Sequence, residues 1–348
     1  MNLKELTISL CGIMSISGYE AKNTEALRAL VSPYFDECRT DAVGNHLFIK
    51  KCGKENAPVC LVDAHFDEIG MIVTDIKEGG FVTVTSIGGL DPSIMQAGEV
   101  KIYGKETLHG IVASTPPHLL KPDEAKKLKP INELIIDTGY PKEELEKIVS
   151  LGTPVGFAPV YRELLNDRIV GKSFDDKACA AAAVFGLHDI DKDALAADVY
   201  LLLSCHEETD HLGGVCAAAF GIEPDYAMVV DVGFALVPDT KKNECAEMGE
   251  GIILTLSAVT DKKLTRMTAR LFDDKEIKHT KIVSAKHTGT NATPLGLVGR
   301  GVPVVDVGLP LKNMHTYTEM IDIHDSETLA RAVREFVCSK EIAEVFGR

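Results

Sequence analysis

Basic residues are scarce in this acidic chain: 37 Lys and Arg stand against 52 Asp and Glu, for a formal charge of −15. Phosphate backbones and anionic membranes are held by Lys and Arg patches, so this balance argues against a nucleic-acid or anionic-membrane surface. Long apolar runs are also lacking. The longest, Ala178 to Leu187, is about half of the roughly 20 residues needed to cross a bilayer, and no membrane span is expected. The stretch Leu6 to Met14 has the apolarity of a signal-peptide core, but Glu5 follows Lys4 at once and no small-residue cleavage site appears. It reads instead as an amphipathic helix with Leu3, Leu6 and Leu10 on one face. Paired Cys-x-x-Cys spacing is missing from the nine cysteines. An odd, scattered set of that kind fits a reducing cytosol better than a disulfide-stapled secreted domain. No internal repeat is present.

What the chain does contain is enough for more than one core. Its 348 residues, 45% hydrophobic and 26% charged, are ordinary for a globular protein and long enough for a main domain with a smaller companion. Four short runs rich in Val, Ile and Leu read as buried strands: Val59 to Val62, Val199 to Leu203, Ala227 to Val230 and Val302 to Val307. Helical patterns lie at Glu20 to Leu30, Asp176 to Ile190 and Glu327 to Val345, the middle one Ala-rich and suited to close packing on a sheet. Alternating strands and helices predict an α/β fold, a mixed central sheet covered by helices on both faces.

Between Met71 and Arg168 the pattern changes. Short strand-like runs, Phe81 to Ser86, Glu99 to Tyr103 and His109 to Ala113, are punctuated by Gly79, Gly80, Gly88, Gly89 and Gly104. A Pro- and Lys-rich stretch, Thr115 to Pro130, reads as a surface loop. Because α/β patterning flanks this β-rich segment, it is expected as an insertion, residues 70–168, into a catalytic domain formed by residues 1–69 and 169–348.

The chemistry gathers after the strands. His65-Phe66-Asp67-Glu68 follows the first, His206-Glu207-Glu208 the second, Asp231 the third, and His315 lies in the loop beyond the fourth. In open α/β sheets the carboxyl ends of the strands form the ligand crevice, so these groups are expected to converge. Two His with several carboxylates suit zinc, cobalt or manganese better than calcium, which prefers oxygen alone. Asp175, opening the Ala-rich helix, is placed to lean into the same crevice, and one carboxylate between two ions is a common way to hold a metal pair that activates water. Each residue taken singly has a plainer reading, a hydrogen-bonded structural histidine or a turn aspartate; the shared strand-end position is what argues for function. His46, His109, His118, His188, His279, His287 and His324 lack that position and read as surface or structural residues. Glu207 and Glu208 are neighbours on an extended segment and should point in opposite directions, one to a metal and one to the substrate as general base.

Other motifs fail on spacing. His206 and His211 are five apart, where a zincin helix needs four, and the Gly171-Lys172-Ser173 run lacks the leading P-loop glycine, which would fall at Asn166. Asn291-Ala292-Thr293 matches a glycosylation acceptor but is followed by Pro294. A glycosidase would need two carboxylates flanking a sugar bond and has no use for convergent histidines.

Taken in order, Ser17-Gly18-Tyr19-Glu20, Asp41 with Gly44-Asn45, and His65-Phe66-Asp67-Glu68-Ile69-Gly70 resemble the M42 peptidases, the glutamyl or tetrahedral aminopeptidase family. The likeness continues through Gly88-Gly89, Pro117-His118, Ile136-Asp137-Thr138-Gly139, Asp175-Asp176-Lys177, Glu207-Glu208, Asp231 and Met314-His315, nearly the whole chain. The resemblance implies that Asp175 bridges two ions, with His65 and Asp231 completing one site and Glu208 and His315 the other. It implies Glu207 as general base, Asp67 as the residue that orients His65, and the inserted β domain as a dimerisation domain. It also implies a large homo-oligomer, often a hollow dodecamer. Two positions depart from the family pattern: His206 stands where Gln is usual, with Thr209-Asp210-His211 after the glutamates, and Thr288-Gly289-Thr290-Asn291 replaces Gly-Gly-Thr-Asp, an amide for a carboxylate.

The function expected is thus a cytoplasmic metallo-aminopeptidase acting on short peptides, with two divalent ions per subunit, zinc or cobalt before manganese. The same kit could serve another di-metal amide hydrolysis, a deacylase or carboxypeptidase, because it does not specify which substrate end is recognised. From a different class, the His206 and Asn291 changes could mark a non-catalytic metal-binding scaffold.

Overall fold

The computed structural model describes residues 1–119, 128–209 and 213–347. An eight-stranded mixed sheet forms its centre, in the order Glu37–Thr40, His46–Lys50, Asp198–Ser204, Val59–His65, Tyr226–Phe234, Val304–Leu311, Ile252–Ser257 and His279–Ser284. The middle four are parallel to one another, and they are the four expected from the sequence. The next strand on each side runs antiparallel to them.

Side-chain alternation along these strands explains why helices cover both faces. Cys60, Val62, Ala64, Leu201, Leu203, Met228 and Val230 enter one core, shared with the helices Leu3–Gly12, Phe174–Leu187 and Ile323–Cys338. Leu61, Leu202, Ala227 and Val229 face the opposite core, with the helix Gly213–Ile222 and the short helix Ala292–Leu295. The Ala-rich helix lies close against Ile323–Cys338: a Cβ added at Gly186 would stand 2.3 Å from the Ala330 carbonyl. Among the described residues no helix is long and apolar enough to cross a membrane.

The helix bounds differ from those expected, and two of the patterns divide. The C-terminal pattern divides into Ile323–Cys338 and Lys340–Phe346, because the Ser339 side chain accepts from the Ile342 N–H and caps a new helix. The Glu20 pattern opens with a 3-10 turn, Glu20–Asn23, before the α-helix Thr24–Val31.

The β-rich segment closes into a barrel of six strands, Gly70–Lys77, Phe81–Ile87, Ile136–Asp137, Thr107–Val112, Glu99–Tyr103 and Pro154–Phe157. It holds its own core around Met71, Val84, Val100, Ile102, Ile136 and Val155. Gly79 and Gly80, both at positive φ, make the first hairpin turn. Most of the expected Thr115–Pro130 loop, residues 120–127, lies outside the described residues, as do Asp210 and His211. A three-stranded sheet, Arg162–Leu164, Arg168–Gly171 and Glu319–Asp322, follows the barrel and brings Glu319 beside Gly171. That pairing puts Glu319 at the mouth of the Ala-rich helix.

Candidate metal centre

The parallel register sets the C-terminal strand ends side by side, and His65, Glu207, Glu208, Asp231 and His315 are carried to one edge of the sheet. His65 ends its strand, whereas Asp231 sits inside the longer strand Tyr226–Phe234, which pairs with its neighbour as far as Leu311. Asp175 reaches them from the start of the Ala-rich helix, where Asp175 and Asp176 have non-helical φ/ψ and regular helix begins after them.

Distances tie the set together. Asp175 Oδ1 is 3.1 Å from His65 Nε2, and Asp175 Oδ2 is 3.4 Å from His315 Nε2. His65 Nε2 is also 3.9 Å from Asp231 Oδ1 and 4.0 Å from Glu207 Oε2, while His315 Nε2 is 3.4 Å from Glu208 Oε2. Donor atoms of His65, Asp175 and Glu208 form one group within 4.8 Å of one another, and those of His65, Asp176 and Asp231 form another. Asp176, which follows no strand and so carries no strand-end signal, is fully buried beside them.

Both imidazoles are oriented by backbone. The Nδ1–H of His65 donates to the Asp67 carbonyl at 3.0 Å, and that of His315 donates to the Gly89 carbonyl at 3.0 Å. Each Nε2 therefore faces the carboxylates, which raise the pKa of both imidazoles, and it is the nitrogen that a metal would take in place of a proton. The Asp67 carboxylate stands 3.6 Å from His65 Nδ1 and accepts from the amides of Glu207 at 3.1 Å and Glu208 at 3.0 Å. It thereby fixes the turn that carries both glutamates.

Burial of so many acids in one place works against their charge. Burial, then the Asp175 charge, raises Glu208 well above the usual carboxylate range; burial, then Asp176, does the same to Asp231. Glu207 is pushed up to about 7 by burial, with Asp175 and Asp67 adding to it against the pull of His65. Asp175, by contrast, is held well below the ordinary range, since His315 and His65 outweigh its burial. Crowded oxygen donors around two imidazole nitrogens are what a multivalent cation neutralises, and the residues fit such a group.

Glu319 is a supporting residue with no strand-end signal in the sequence. Its carboxylate accepts from the amides of Phe174 at 2.7 Å, Asp175 at 3.2 Å and His315 at 2.9 Å. A single group thus positions both the central aspartate and the second histidine. Asn291 does not reach the crevice; its amide donates to Asp63 at 2.9 Å and Ser204 Oγ at 3.0 Å beneath the strand ends. His287, read from sequence as a surface or structural residue, lines the crevice, a cleft of about 930 Å³ shared with Ser86, Ile87, Val232, Thr293 and Met314. His46 is buried with its Nδ1 3.1 Å from Thr40 Oγ1, and burial lowers its pKa to about 4.

A mixed α/β sheet whose parallel strand ends gather His and carboxylate donors into a cleft forms a candidate metal centre in an α/β protein. The family model of M42 glutamyl aminopeptidases matches residues 44–331, and the chain belongs to that family of peptide-bond hydrolases. Lysyl aminopeptidase of Pyrococcus furiosus is 29% identical over 329 residues, covering 92% of this chain and 93% of its own. The TET aminopeptidase of a marine-sediment Thaumarchaeota archaeon has a TM-score of 0.90 at 28% identity, covering 99% of this chain and 98% of its own. A TET peptidase of Pyrococcus horikoshii, described as assembling into a tetrahedron or a large octahedral shell, has a TM-score of 0.84 at 24% identity. It covers 97% of this chain and 99% of its own, a likeness of fold. With these relatives the chain is a metal-dependent aminopeptidase.

Proposed function

We propose that this aminopeptidase takes short peptides and uses two divalent ions, zinc or cobalt in preference to manganese. Asp175 would be shared between the ions, with His65 and Asp231 on one side and Glu208 and His315 on the other. The bound ions supply Lewis acidity toward the scissile carbonyl and a water molecule. The observation that supports this reading above the rest is the placing of Asp175, one oxygen toward each histidine at 3.1 and 3.4 Å.

The chain's own residues do the remaining work. Glu207 lines the cleft close to His65 yet outside the Asp175–His315–Glu208 contacts, the position a general base needs beside a reacting water. It takes the water proton and returns it to the leaving amine. Asp67 holds Glu207 in that position through its amide, and its carbonyl keeps the His65 ring turned. The carboxylate-rich wall of the cleft is suited to the free ammonium of a peptide N-terminus.

We further propose a cytoplasmic homo-oligomer, as large as a dodecamer of the 37.6 kDa chain, with the barrel as dimerisation domain and no nucleic-acid or membrane partner. Nine unpaired thiols suit a reducing compartment.

Aminoacyl-anilide hydrolysis and metal content, measured together, test the assignment. Glu207→Gln should keep its metal and lose about 10²–10⁴-fold in kcat, the usual contribution of a general base. Asp175→Ala should lose metal as well as turnover, because a shared ligand is gone. Substantial activity in the first variant would overturn the role of Glu207, and undiminished metal in the second would overturn that of Asp175.

A further inference from the structure

A third group of donors stands apart from the cleft. Glu20, Cys205 and His206 bring a carboxylate oxygen, the thiol sulfur and an imidazole nitrogen within 4.8 Å of one another. None of the three belongs to the donor groups around His65. Glu20 and Cys205 are buried, at 3% and 2% exposure, and His206 is half-buried. They come from distant parts of the sequence: Glu20 opens the turn after the N-terminal helix, whereas Cys205 and His206 leave the end of the strand Asp198–Ser204.

The backbone already links the segments. The His206 amide donates to Glu20 Oε1 at 3.4 Å, and the Cys205 thiol donates to Asn45 Oδ1 at 3.2 Å and to the Val43 carbonyl at 3.5 Å. One sulfur, one nitrogen and one oxygen are a donor set for zinc or cobalt rather than for calcium or magnesium. Three protein ligands leave a fourth position for water or another donor, and His206 is the one member of the group that is partly exposed.

We infer that Glu20, Cys205 and His206 form an additional binding site for a thiophilic divalent cation of the zinc type, separate from the catalytic pair. Binding forms a metal–sulfur bond and releases the thiol proton to solvent; no electron is transferred. The ion ties the N-terminal Glu20 turn to the segment that continues directly into Glu207 and Glu208. Its place in the fold makes it a staple behind the cleft, not a participant in the reaction.

Sulfur provides a signature that the catalytic donors cannot imitate, since His65, Asp175, Glu208, Asp231 and His315 contain none. The full-length protein, stripped of metal and reloaded with cobalt(II) under reducing, oxygen-free conditions, should show thiolate-to-cobalt charge-transfer absorption in the near ultraviolet. Cys205→Ser should lose that absorption and one equivalent of cobalt. Glu20→Gln and His206→Gln leave the buried thiol in place and carry the test should the serine variant fail to fold. Each should weaken cobalt binding at the sulfur site by at least the ~10–100-fold that loss of a mere supporting partner costs. Asp175→Ala should keep the absorption, which separates this site from the catalytic assignment. Absence of the band in wild type at saturating cobalt, or an undiminished band in Cys205→Ser, would overturn the site.

Discussion

Glu319 shows how much one buried carboxylate can organise. Its two oxygens receive three backbone amides, from Phe174, Asp175 and His315, and so set the relative positions of two candidate ligands that are 140 residues apart in sequence. Exchanging the carboxylate for an amide replaces one acceptor by a donor, which then faces an N–H. Glu319→Gln should therefore weaken metal binding about 10–100-fold, the usual effect of losing a partner behind a ligand. Isothermal titration with zinc or manganese measures this, and unaltered affinity would remove Glu319 from the site. Glu319 is illegible in the sequence because it lies on a short strand with no apolar run leading into it. His65, Asp175, Glu208, Asp231 and His315 are legible, since strand ends or a helix start give each a common destination. Gly89 is visible within a Gly-Gly pair, but its carbonyl contact with His315 depends on how the barrel meets the sheet and leaves no trace in residue type.

The elements around the cleft are locked by a buried ionic cluster. Glu68, just past the strand Val59–His65, is bound by Lys172, Ser173 and Lys177 at the start of the Ala-rich helix, and its other oxygen accepts from the Ser15 amide at 3.0 Å. Burial opposes the charge, yet Lys172 and Lys177 outweigh it and hold the Glu68 carboxyl at about 2, below its ordinary 4.5. A depressed folded-state pKa gives stability that is present above pH 4.5 and lost as pH falls through about 2. The shift corresponds to about 3 kcal/mol. Glu68→Gln leaves two buried ammonium groups without their anion and should cost about 3–5 kcal/mol in denaturant unfolding at neutral pH. Its stability should also fall less than that of wild type between pH 4.5 and 2; parallel pH profiles would show that the cluster is not the anchor. The central strands are readable because apolar residues occupy both faces, whereas the edge strand Glu37–Thr40 is largely exposed, His279–Ser284 buries no residue fully, and neither carries such a run.

Across the whole molecule, the barrel and the sheet jointly build the cleft. The loop after the barrel strand Phe81–Ile87 brings Gly88 and Gly89 against the candidate ligands, and the Gly89 carbonyl accepts a hydrogen bond from His315 Nδ1–H. The inserted segment thus supplies part of the site itself, so the barrel and the helices behind the sheet must be placed correctly together for His315 to face Asp175. Gly89 offers a direct check. Its backbone is outside the left-handed region, so alanine is tolerated conformationally, but the added Cβ would stand 2.9 Å from His315 Nδ1 and 3.3 Å from its Cε1. The ring must turn or the loop must retreat, and either motion breaks the bond that turns Nε2 toward Asp175. Gly89→Ala should accordingly keep a native circular-dichroism spectrum while losing about 10–100-fold in affinity for divalent metal. If the variant binds metal and turns over peptide as wild type does, the barrel's carbonyl is not what orients His315.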